Sequence, residues 1–130
     1  MAMRMILALA LMPGMAGAAC LEGETQALSC TANGAEVTLC WADEARLVLD
    51  GREVRVPLGD VMAMDAPDWT ASTLLAGNEQ FEVFHADGVA GVTLYENNRT
   101  TGSVMCDAGS VTQALSDLNK AAVMAPSSGG

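Results

Sequence analysis

Residues 28–40 read LSCTANGAEVTLC, two short runs of alternating apolar and polar side chains around Asn33-Gly34. Period-two alternation marks a half-buried strand. Asn-Gly between two such runs is a strong hairpin signal, because both turn residues must take φ > 0. With Asn33-Gly34 as the turn, Ala32 faces Ala35, Cys30 faces Val37 and Leu28 faces Leu39. Leu28, Cys30, Val37 and Leu39 then share the inward face, and Cys40 lies on the other. Cys30 is therefore not placed to bridge Cys40.

The same punctuation recurs. Asp50-Gly51 separates Arg46–Leu49 from Glu53–Val56, and Asp87-Gly88 separates Phe81–Phe84 from Val89–Tyr95. Asn97-Asn98 is a weaker turn leading into Thr101–Cys106. The pattern predicts an all-β protein, a small antiparallel β-barrel of about seven or eight strands, since closure removes exposed sheet edges. Residues 59–71, GDVMAMDAPDWTA, do not alternate cleanly, and Pro67 cannot donate to a central ladder. They read as one long loop carrying Trp69, Met62, Met64, Asp60, Asp65 and Asp68. The methionines are expected to plug one end of the barrel; Trp69 is either part of that plug or a contact surface. After Cys106, Ser110 and Gln113 match a capping box, with Ser110 as the N-cap. Val111, Ala114, Leu115, Leu118 and Ala122 follow on one helical stripe of about three turns. The expected organisation is a leader over 1–19, the barrel over 20–109, a helix over 110–125 and a disordered tail over 126–130.

The chain is 130 residues long, the size of one domain, with 16 acidic against 6 basic side chains and a net charge of −10. Such a surface repels polyanions, which argues against nucleic acid as a partner. Residues 1–19 have the parts of a removable signal peptide: Arg4, an apolar run from Met5 to Met12, a Pro13-Gly14 break and small residues at Ala16-Gly17-Ala18. The apolar run is too short for a membrane span. Export to the periplasm or outside a bacterial cell is an oxidising destination, where four cysteines read as two disulfides. The hairpin register pairs Cys30 with Cys106, stapling the first and last strands, and leaves Cys20 for Cys40. A lipid anchor on Cys20 is disfavoured by Gly17, where a leucine-like residue is expected, and by the odd thiol it would leave.

Catalytic chemistry is hard to find. His85 is the single histidine, and its alternation with Phe84 is expected to point it into solvent. The serines lie in no nucleophile motif, and the acidic residues Asp43, Glu44, Asp60, Asp65 and Asp68 lack the ordering of a calcium loop. No phosphate-cradling glycine loop is present. The reading is a non-enzymatic binding module without metal or cofactor, whose acidity favours a basic partner.

The order of parts carries a further implication. A short strand ends in Cys30, and a hairpin carries Asp50-Gly51 and Val54-Arg55-Val56-Pro57-Leu58. A loop, the run Phe81-Glu82-Val83-Phe84-His85-Ala86-Asp87-Gly88, the strand Val92-Thr93-Leu94-Tyr95 and a closing Cys106 follow. From Thr25 to Cys106 this resembles the MliC/PliC-type inhibitors of c-type lysozyme, small periplasmic or lipid-anchored β-barrels. The resemblance implies inhibition by occluding the enzyme's active site. The family's serine-glycine loop would fall near Ser72, where Thr73 replaces the glycine and Ala76 stands at an aromatic position. Its second signature falls on Phe81 to Gly88; Gly88 is kept, but Asp87 replaces the lysine that would face the enzyme's carboxylates. Ser72, Asp87 and Gly88, with Trp69, are thus the candidate contacts. The alternatives are a non-catalytic envelope accessory protein with another partner, and a carrier of a small apolar ligand inside the barrel.

Overall fold

The computed structural model describes residues 20–126; the expected leader and the end of the tail lie outside the described residues. The chain runs β1 (Thr25–Ala32), β2 (Ala35–Trp41), β3 (Glu44–Leu49) and β4 (Arg52–Pro57), then a 3-10 turn at Leu58–Asp60. It continues through β5 (Val61–Ala66), β6 (Trp69–Ala76), β7 (Glu79–Ala86), β8 (Val89–Glu96) and β9 (Arg99–Met105) to β10 (Thr112–Gln113) and helix α1 (Leu115–Met124). The fold is antiparallel all-β with a short C-terminal helix. Sheet A has the order β10-β1-β2-β3-β4, and sheet B has β5-β6-β7-β8-β9.

The predicted hairpin is present in register, with Cys30 opposite Val37 and Leu28 opposite Leu39. Its turn residues, and those at Asp50-Gly51, Asp87-Gly88 and Asn97-Asn98, all take positive φ. Both disulfides form as the register requires, Cys30–Cys106 and Cys20–Cys40.

Three expectations are corrected. The sheets do not close into a barrel. Pro57 ends β4, the 3-10 turn carries the chain from sheet A to sheet B, and β9 meets β1 through a disulfide rather than a ladder. Residues 59–71 are not a loop: β5 and β6 form a hairpin, with Ala66 paired to Trp69 around Pro67-Asp68. Pro67 sits in the turn, where its missing N–H costs nothing. β5 is an edge strand whose residues after Val61 are exposed, so no inward apolar face announces it. Finally, Ser110 does not cap the helix. Thr112 and Gln113 pair with Ser29 and Leu28, which holds that backbone extended and delays the helix to Leu115. The Gln113 Oε1 still accepts the Leu115 N–H at 3.0 Å, while the Ser110 hydroxyl donates to the Asp107 carbonyl at 2.7 Å.

One core lies between the sheets. From sheet A come Leu28, Leu39, Leu47, Val54 and Val56; from sheet B come Leu74, Phe81, Val83 and Val92. The predicted stripe residues Leu115, Leu118 and Ala122 join them, so α1 fills the side of the sandwich between β1 and the β5–β6 hairpin. Arg52 ties the sheets together: it leaves β4, lies 5.2 Å from the Phe81 ring centre and meets Glu79 of β7 at 2.7 Å.

The outer face of sheet A is ionic. An arm at residues 20–24, held by Cys20–Cys40, brings Glu24 onto Arg46, whose Nε and Nη2 donate to its carboxylate at 2.9 and 2.7 Å. Arg55 pairs with Glu53 and Glu44 on the same face. The Arg46 guanidinium holds the Glu24 carboxyl below its ordinary range. A depressed carboxyl contributes stability above its unfolded pKa and loses it as pH falls through the folded one. Glu24→Gln, which removes the carboxylate 2.7 Å from the buried Arg46, is expected to cost about 3 kcal/mol at neutral pH. Its urea midpoint should also fall less steeply than wild type on acidification below about pH 5. The disulfides are separable in the same assay. Cys30–Cys106 spans 76 residues and Cys20–Cys40 spans 20. Chain entropy then gives about 4–5 kcal/mol for the first and about 3 for the second. Paired Cys→Ser variants should rank in that order.

Candidate functional site

In sheet B alternation sends Leu74, Phe81, Val83 and Val92 into the core, and their neighbours to the opposite side. On that outer side one row crosses all five strands in register: Met64, Ala71, Phe84, Gly91, Met105. Trp69 stacks on Phe84 with ring centres 5.0 Å apart. Gly91 makes the row possible. A Cβ there would lie 2.4 Å from the Val104 carbonyl oxygen and 3.2 Å from both Met105 Sδ and Phe84 Cζ. Phe84 and Met105 therefore occupy the space above Gly91.

No described segment covers this face. Met62 is 56% exposed, Met64 53%, Val89 47% and Met105 46%. The methionines do not plug a barrel end, because alternation on β5 turns both away from the core. Beside the row is a groove of about 170 Å³ with walls from Met62, Met64, Ala71 and Gln80. Thr73, Glu82 and Tyr95 join Gln80 as its polar lining, and the Tyr95 hydroxyl donates to Glu82 Oε1 at 3.0 Å. That hydrogen bond is the main cause pushing the Tyr95 phenol above its ordinary pKa, so it stays a neutral donor.

The four candidate contacts separate into two groups. Trp69, Asp87 and Gly88 lie at one end of sheet B, where the β5–β6 and β7–β8 turns are neighbours: Thr70 at the start of β6 pairs with His85 at the end of β7. Asp87 and Gly88 are exposed and Trp69 is half-buried. Ser72 has no place in that group. It is fully buried mid-strand beneath α1, and its hydroxyl donates to Asn119 Oδ1 at 2.6 Å. The Asn119 amide donates in turn to the Ala71 carbonyl, Asp65 Oδ2 and the Met64 carbonyl at 3.1–3.3 Å. Ser72 is thus a fastener for the helix and does not reach a partner from this position. His85 is also corrected. Phe84 takes the outer side, so His85 falls on the inner side of β7, half-buried at a cleft lined by Gly88, Gly109, Val111 and Gln113.

Glu82, Tyr95, Gly91 and Met105 escaped the sequence reading. The available signal was parity: a phenylalanine at position 84 and methionines at 62, 64 and 105 occupy the positions that alternate away from the core. Metal chemistry gains nothing. Among the described residues the group with ligand-like spacing is Cys20, Glu24 and Cys40, and both cysteines are in a disulfide. Asp65, one of the acidic candidates, accepts hydrogen bonds from Ser116 and Asn119.

No family model, curated protein or solved structure matches the chain.

The Ser72–Asn119 contact makes a clear prediction. Ser72→Ala leaves a buried Asn119 oxygen without its donor, an expected loss of about 1–3 kcal/mol in chemical denaturation. Binding through the outer face of sheet B should be unchanged while the protein stays folded. Lost binding with unchanged stability would put Ser72 back on the contact surface.

Proposed function

We propose that this protein is an exported, non-catalytic binding module that meets a basic protein through the outer face of sheet B, with a c-type lysozyme as the specific candidate. The observation that carries the reading is the contrast between the two outer faces. Sheet A pairs its arginines with glutamates, whereas sheet B presents exposed methionines beside a half-buried Trp69 stacked on a buried Phe84. Exposed apolar patches of this kind mark contact sites. The charge around it supports a cationic partner. Between β5 and β9 the chain carries six acidic residues against Arg99 alone; with Glu79 paired to Arg52 and Asp65 held by the helix, Asp68, Glu82, Asp87 and Glu96 remain. Two disulfides and the lack, among the described residues, of a helix long and apolar enough to cross a membrane fit a periplasmic or secreted site of action.

Ser72 lies under α1, so occlusion of an enzyme cleft falls to Trp69 and the Asp87-Gly88 turn. A surface binder is favoured over an apolar-ligand carrier by the filled interior: Leu28, Leu39, Leu47, Leu74 and Phe81 are all at 0–1% exposure. A cleft of about 600 Å³ at the β1–β2 and β3–β4 turns is open rather than enclosed, with Asn33 and Asp50 among its lining residues.

The test is a cell-wall lysis assay with c-type lysozyme, paired with a direct binding measurement on the mature protein. Slowed lysis is expected, with association weakening several-fold between about 50 and 200 mM salt as charge is screened. Met64→Glu should weaken binding by tenfold or more by placing a charge in the apolar row. Absence of binding at low salt would overturn the lysozyme reading.

A further inference from the structure

The groove beside the methionine row has a composition that names its occupant. At about 170 Å³ it is smaller than the roughly 300–1,000 Å³ of small-molecule sites, so it suits one side chain rather than a ligand. Its walls at Met62, Met64 and Ala71 are apolar, and the thioethers adapt to an aliphatic stem. Its polar side sets the Glu82 carboxylate among Thr73, Gln80 and Tyr95, and Glu82 is the one charged group there. Glu82 Oε1 accepts the Tyr95 hydroxyl, and Oε2 has no partner among the described residues. No described cation pairs with Glu82, although every described arginine on sheet A or at its edge has a glutamate.

Building on the reading of a basic partner, the geometry points to this groove as a receptor for one arginine side chain of that partner. The three-carbon stem lies along Met62, Met64 and Ala71, the guanidinium donates to Glu82 Oε2, and the Tyr95 ring flanks the cation. A guanidinium fits better than an ammonium because it is planar, weakly hydrated and stacks on aromatic and thioether surfaces. Tyr95 holds Glu82 in place, so less ordering is needed on binding. The chain's net charge of −10 argues against the other occupants: a second copy brings the same charge, and an anionic bilayer repels it.

The test needs no partner protein. Methyl and amide NMR of the mature protein follows titration with acetyl-arginine-N-methylamide, and with the norleucine analogue as an uncharged stem of similar length. The arginine probe is expected to shift the Met62 and Met64 methyls and the Glu82 amide saturably, at least fivefold more tightly than norleucine. Glu82→Gln keeps the shape and an acceptor for Tyr95, and should weaken the arginine titration roughly tenfold while leaving the norleucine one unchanged. Equal titration by both probes, or an arginine titration indifferent to Glu82→Gln, would overturn the assignment. So would a concentration-dependent dimer that hides Met62 and Met64 from the probe, which would give the face to a second copy. Slowed lysis without arginine titration would sink the groove and leave the lysozyme reading standing; titration without slowed lysis would do the reverse.

Discussion

The Cys30–Cys106 bridge is the constraint on which the architecture turns. It joins the first strand of sheet A to the residue following the last strand of sheet B. Those two strands share no ladder, so the covalent link and the turn beside it do the work that hydrogen bonds do in a closed barrel. Asp107 reinforces the link: its N–H donates to the Thr31 carbonyl, and its carboxylate accepts from the Asn33 N–H and the Thr31 hydroxyl. With the chain returned to β1, Thr112-Gln113 pairs along that strand and α1 is delivered into the side of the sandwich. Helix placement and the burial of Ser72 beneath the helix follow from that return.

The sandwich also divides labour between its outer faces. Sheet A pairs its arginines with glutamates: Arg46 with Glu24 and Glu53, Arg55 with Glu53 and Glu44, and Arg52 across to Glu79 of sheet B. What remains for the surroundings is a net negative field and, on sheet B, an apolar surface. For the basic partner proposed above, long-range attraction would serve encounter and short-range burial of methionine and aromatic surface would serve the hold. The two contributions sit on different residues and can be varied separately.

The residues that carry the likeness to lysozyme inhibitors fall in two places in the fold. Ser72, the position that resemblance favoured, serves the helix, whereas Trp69, Asp87 and Gly88 are gathered at one accessible end. An inhibitory surface on this chain, as proposed, would rest on aromatic, acidic and methionine groups rather than on a serine loop and a lysine.

Much of the strand framework was legible from local rules. Asn33-Gly34, Asp50-Gly51 and Asp87-Gly88 demand positive φ at both turn residues, and period-two alternation then dictates register, face and, through Cys30, both disulfides. Those signals are local because turn chemistry and pleat act over a few residues. The errors came where a distant partner overrides the local pattern. β5 lacked an inward apolar face because it is an edge strand beside α1. Ser110 and Gln113 look like a capping box, but the free edge of β1 captured Thr112-Gln113 as a strand. Ser72 and the Glu82–Tyr95 groove depend on which side of sheet B the helix covers. That choice is made by chain return and core closure, neither of which any window of residues encodes.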